Sequence, residues 1–244
     1  MIEVRNLHKQ FGDVVAVEDV TFTAADGVVT GLLGPNGAGK TTTLRMLTTL
    51  IAPDRGQALI DGQDVALNPL EARRRIGVLP DARGLYPRLT AREHVRYAGE
   101  LHGLSGKALQ QRIDELIELL DMKSIENRRA EGFSHGERVK VALARALVHQ
   151  PRNVMLDEPT NGLDVMSTRA VRELIRRLRD QGKCVLFSSH VMQEVSALCD
   201  RIVIIARGRV VAEGTPDELK ARAGKDNLEE AFVTIIGSDQ GLVQ

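Results

Sequence analysis

The stretch Leu32–Thr43, Leu-Leu-Gly-Pro-Asn-Gly-Ala-Gly-Lys-Thr-Thr-Thr, constrains the fold of this chain more than any other. It follows an apolar run (Val28, Val29, Leu32, Leu33) and precedes Leu44, Met46, Leu47 and Leu50 at helical spacing. Strand, glycine-rich loop and helix in that order are the context that the P-loop pattern G-x-x-x-x-G-K-[ST] requires. Gly34, Gly37 and Gly39 let the backbone wrap a phosphate chain without side chains in the way, at the positive end of the following helix. Asn36, Gly37, Ala38, Gly39, Lys40, Thr41 and Thr42 are therefore the candidate phosphate-binding residues. Lys40 is suited to the β- and γ-phosphates as a point charge, and the Thr41 hydroxyl to Mg2+. A nucleoside triphosphate is the expected ligand.

The rest of the composition narrows the setting. At 244 residues the chain has room for one large domain or a domain with an inserted lobe. Lys plus Arg (33) balance Asp plus Glu (33), so no net basic charge recruits nucleic acid or anionic lipid. No apolar run reaches membrane-spanning length, and the first residues lack signal-peptide anatomy, so a cytoplasmic location is expected. Cys184 and Cys199 fall in apolar patterns and read as buried thiols, and the six histidines show no metal-ligand spacing.

Strands are expected at 2–7 and 14–23, with Phe11-Gly12-Asp13 as their turn, then at 58–60 and 75–79. From about 90 to 150 the periodicity is helical (Leu109, Ile113, Leu116, Ile117, Leu120; then Val139 to Val148). Strand and helix alternate afterwards, with strands at 154–156, 184–187, 202–206 and 210–212. The pattern predicts an α/β fold: a P-loop parallel-sheet core with an N-terminal antiparallel subdomain and an inserted all-helical lobe. One domain over 1–236 and a loose tail over 237–244 are expected.

The strand Val154–Leu156 ends in Asp157-Glu158. In a P-loop fold an acid at that place holds Mg2+, here Asp157. Glu158 is placed to polarise an attacking water as a general base. An Asp-Glu pair in a solvated loop is the plain alternative, which the buried strand before it disfavours.

Five segments in order then resemble the ATP-binding subunits of ABC transporters: Gly34–Thr42 (Walker A), Phe133-Ser134-His135-Gly136-Glu137 (signature loop), Asp157-Glu158 (Walker B and catalytic glutamate), Gly162-Leu163-Asp164 (D-loop) and Ser188-Ser189-His190 (switch histidine). The resemblance spans residues 2 to about 220. It implies an ATPase whose two copies close head-to-tail on Mg-ATP, each ATP lying between one chain's P-loop and the other's signature loop. Ser134, Gly136 and Glu137 would then face the partner's nucleotide, as a helix N-terminus suits an anion; Ser134 also fits an ordinary N-cap. His190 would bond the γ-phosphate and position the water held by Glu158. Phe11 would stack on adenine with Val17 beside it, packing in the core being the alternative for Phe11.

Two departures from the family pattern stand out. Asp81 occupies the place of a glutamine that ligates Mg2+ and relays to the membrane subunit; its carboxylate remains a hard oxygen ligand. His135 replaces a glycine, and Glu137 a glutamine. The segment Gly84–Thr90 lies where a membrane partner would dock, and its apolar cluster with Tyr86 suits either an interface or packing. Asp81, the residues after it and Leu228–Phe232 resemble the sodium-extrusion and drug-export ATPases of bacteria. The expected partners are ATP, a second ATPase subunit and an integral membrane subunit, with no nucleic acid. A soluble non-transport ABC ATPase or an ATP-gated regulatory module is the alternative. A GTPase is disfavoured because the guanine-reading Asn-Lys-x-Asp is missing.

Overall fold

The computed structural model describes residues 1–81 and 84–239. In chain order the elements are β1 (Ile2–Phe11), β2 (Val14–Ala24), β3 (Val29–Leu33), α1 (Lys40–Leu47), β4 (Arg55–Ile60), β5 (Gln63–Asp64), α2 (Pro69–Arg75) and β6 (Ile76–Leu79). Three helices form the lobe: α3 (Ala91–Leu101), α4 (Gly106–Leu119) and α5 (His135–Leu147). The chain continues with β7 (Asn153–Asp157), α6 (Val165–Asp180), β8 (Cys184–Ser189), α7 (Met192–Leu198), β9 (Arg201–Ala206), β10 (Arg209–Gly214), α8 (Pro216–Ala223) and α9 (Leu228–Asp239).

All strands join one ten-stranded sheet in the order β5-β4-β1-β2-β10-β9-β3-β8-β7-β6. Its run β6-β7-β8-β3-β9 is parallel, whereas β1, β2, β4 and β5 pair antiparallel. The expected core, antiparallel subdomain and helical lobe are all present. Strands buried on both faces read as continuous apolar runs, and alternate side chains feed the two faces. Val185 and Phe187 of β8 pack with the lobe helices and α6, while Cys184 and Leu186 pack with α1 and the antiparallel strands. Phe187 is among the largest fully buried side chains. Phe187→Ala is expected to lower unfolding free energy by about 3–5 kcal/mol in urea denaturation; a loss below about 1 kcal/mol would contradict this packing.

Helix starts follow their local chemistry. Thr90 and Glu93 form a capping box on α3, Ser134 and Glu137 one on α5, and Asp164 accepts from Ser167 N at the start of α6. The structure corrects the C-terminal expectation. Helix α9 carries on through Gly237 to Asp239, because Leu228, Ala231, Ile235 and Ile236 bury one of its faces. The rest of the expected tail, 240–244, lies outside the described residues.

Candidate functional site

The parallel register brings four strand ends to one edge: Leu33 lies opposite Ser189, Asp157 opposite Ser188, and Leu79 opposite Leu156. The loops leaving these ends carry the candidate residues, at the carboxyl edge where open α/β sheets bind ligands. A cleft of about 650 Å3 opens there, lined by the P-loop residues Asn36–Thr42 together with Asp81, Glu158, Asn161 and His190.

Two P-loop glycines are required by close approach. A β-carbon on Gly34 would overlap the Ile205 carbonyl, and one on Gly39, at φ 104°, would lie 2.6 Å from Ala16 O. Lys40, nearly buried, donates from Nζ to the Gly34 and Pro35 carbonyls at 2.7 and 3.1 Å. The loop thus closes over its own lysine. Burial pushes the Lys40 ammonium pKa down, while the Glu158 and Asp157 carboxylates oppose that shift.

Asp157 is buried and accepts from Ser188 Oγ at 2.5 Å and from Thr41 Oγ1 at 3.4 Å. Ser188 Oγ in turn accepts from Glu158 N at 3.1 Å, so one hydroxyl aligns both acids. Glu158 takes a left-handed backbone (φ 48°), an uncommon state for a non-glycine residue and one that clusters at functional sites. Its carboxylate pairs with His190 Nδ1 at 3.0 Å, with the glutamate side chain 15% and the histidine 43% exposed. Thr41, Asp157 and Asp81 offer hydroxyl and carboxylate oxygens, a donor chemistry that fits Mg2+ bound alongside substrate phosphates. Among the described residues no group of three or more His, Cys, Asp or Glu forms a cage for a metal.

The adenine expectation changes in detail. Val17 is fully buried, so it packs in the core; Val14, Val15 and Ala16 line the cleft instead. A register shift between Lys9 and Gln10 in the β1–β2 pair sets which valines face inward. Phe11 is half exposed beside Val14, with Lys9 Nζ 5.4 Å from its ring centroid, and is not among the cleft-lining side chains. Val14 and Val15 were legible only as strand residues; their exposure beside the P-loop marks them. Asn161 was hidden inside the turn after Glu158.

Ser134, Gly136 and Glu137 are not among the residues that line this cleft. Ser134 Oγ accepts from Glu137 N at 3.2 Å, and Glu137 Oε2 accepts from Ser134 N at 2.7 Å. Arg128 donates to the other Glu137 oxygen at 2.8 Å. The Glu137 carboxylate is thus occupied in capping its helix, an N3 role that the S-x-x-E spacing encodes. In the Gly84–Thr90 segment Leu85 packs on the core, whereas Tyr86 is 52% exposed and donates from its backbone N to His94 Nε2 at 2.9 Å.

The comparisons with known proteins agree with this geometry. A family model described as ABC transporter matches residues 17–161. The chain is 43% identical over 239 residues to the ABC transporter ATP-binding protein NatA of Bacillus subtilis, covering 96% of this chain and 97% of that one. It is 40% identical over 229 residues to the Nod factor export ATP-binding protein I of Burkholderia lata, covering 93% of this chain and 75% of that one. It is also similar to the dimeric structure of the ATP-binding cassette MJ0796 in a post-hydrolysis state bound to ADP and Pi. That likeness has a TM-score of 0.81 and 26% identity over 88% of this chain and 98% of the other. This chain belongs to the ABC transporter family and is an ATPase of that family.

Proposed function

We propose that this chain hydrolyses Mg-ATP within a head-to-tail dimer and thereby drives export through separate membrane subunits. The observation that carries the reading is the division of the motifs. Lys40, Glu158 and His190 line one cleft, with Asp157 bonded to its Thr41, while Ser134 and Gly136 are not among its lining residues. A second copy supplies the missing half in this reading, and the dimeric cassette bound to ADP and Pi is a precedent for it.

In the proposed mechanism the P-loop amides and Lys40 bind the β- and γ-phosphates. Thr41, Asp157 and Asp81 would hold Mg2+, which would supply charge neutralisation at the phosphate oxygens. Glu158 accepts the proton of the attacking water, and His190 holds that carboxylate and the γ-phosphate in place. The partner's signature loop presents the α5 N-terminus to the same nucleotide. Residues 1–236 would act as one ATP-binding domain with the lobe at about 90–150.

The described residues contain no helix long and apolar enough to cross a membrane. The reading assigns the cargo path to a membrane subunit that docks near Gly84–Thr90 and holds the chain at the cytoplasmic face. Sodium or a drug is the proposed cargo, on the resemblance of Asp81, the residues after it and Leu228–Phe232 to sodium-extrusion and drug-export ATPases, and the likeness to the Nod factor export protein supports export as the direction.

Phosphate release by the purified wild type, with and without Mg2+, tests the reading; turnover that ignores Mg2+ would contradict it. Asp81→Ala is expected to raise the Mg2+ concentration for half-maximal turnover about 3- to 10-fold, since one hard ligand is lost, while leaving the melting temperature unchanged because Asp81 is exposed. An unchanged Mg2+ titration would remove Asp81 from the metal site.

A further inference from the structure

The signature position 135 carries an imidazole where the family pattern has no side chain, and the ring reaches another element. His135 Nε2 lies 2.9 Å from the Asn161 carbonyl oxygen. A carbonyl only accepts, so Nε2 carries the proton and donates. The same ring rests on Gly162, where a β-carbon would come within 3.3 Å of His135 Nε2. Gly162 has φ 72°, so the turn presents bare backbone to the ring. Next to it, a β-carbon on Gly136 would approach Ser167 Oγ to 2.8 Å, so the start of α5 sits directly against residues 162–167.

The turn on the far side of this contact belongs to the catalytic carboxylate. Asn161 N donates to the Glu158 carbonyl at 3.3 Å, and Asn161 itself lines the nucleotide cleft. Signature loop, His135 ring, Asn161 and Glu158 therefore form one continuous line of contacts within a single chain.

We infer that His135 is a positioning residue that ties the signature loop to the turn bearing Glu158, so that the partner's nucleotide, on reaching Ser134, sets the carboxylate in this chain's own cleft. The inference rests on the dimer reading above. It makes His135 a link between the two nucleotide sites without contact to either nucleotide.

The test is steady-state hydrolysis against ATP concentration for wild type, His135→Leu and His135→Gln, beside ATP affinity and melting temperature. Leucine fills similar space without a donor, and glutamine restores an N–H at similar reach. His135 is exposed, so each variant is expected to fold and bind ATP as the wild type does. His135→Leu is expected to lose about 10-fold in kcat, with KM changed less than about 3-fold and cooperativity between sites gone, because small misplacement of a catalytic group is costly. His135→Gln is expected to stay within about 3-fold of wild type. Equal rates in all three proteins, or equal losses in both variants, would overturn the link. A wild type without turnover would instead overturn the hydrolytic dimer reading itself.

Discussion

Glu158→Gln lowers ATP turnover by about 100-fold or more while ATP binding persists: that is the expected result of replacing the carboxylate at the end of β7. The amide is close in shape and can still meet His190 Nδ1, 3.0 Å from the native carboxylate. What it lacks is a basic oxygen to take the proton of an attacking water, and positioned general bases contribute about 10²–10⁴-fold. The local structure is built around this group. Ser188 Oγ accepts from Glu158 N, and the residue holds a left-handed backbone that an unconstrained glutamate seldom adopts. Phosphate release and equilibrium ATP binding check the two halves of the expectation separately. Turnover near the wild-type rate would remove Glu158 from the base role.

Lys40→Ala acts one step earlier, at binding. Nζ already sits between the Gly34 and Pro35 carbonyls, close to where the phosphate chain must pass, and the side chain is nearly buried. Truncating one member of a desolvated charge pair costs about 2–5 kcal/mol, or roughly 30- to several-thousand-fold in affinity. Calorimetric titration with Mg-ATP is expected to show loss of tight binding. Retained micromolar affinity would contradict the assignment of the P-loop.

Much of this site is legible in the sequence because its motifs are local. Leu32–Thr43 encodes strand, loop and helix within a short span, and Val154–Glu158 encodes a buried strand with acids at its end. Spacing also marks the capping boxes at Thr90 and Ser134, although it does not show that the cap occupies the Glu137 carboxylate. What escapes is anything decided across the chain. Val15 and Val17 share one face of a regular strand by alternation, and only the register shift between them on β1 accompanies a buried Val17 and an exposed Val15 at the cleft. Helix α9 likewise depends on burying Leu228, Ala231, Ile235 and Ile236, so the polar residues near its end read as tail. The short helix α2 begins at a proline after Asn68 and buries only Ala72, too little apolar periodicity to announce itself. The His135–Asn161 bond joins residues 26 positions apart, which no local pattern reports.

The central claim, that two chains complete one another's sites around ATP, is tested most directly by the solution mass of Glu158→Gln with and without Mg-ATP. Blocked hydrolysis traps the closed state, so the mass is expected to move from one chain without nucleotide to two chains with it. A protein that binds Mg-ATP yet keeps the mass of one chain in both conditions would contradict the claim.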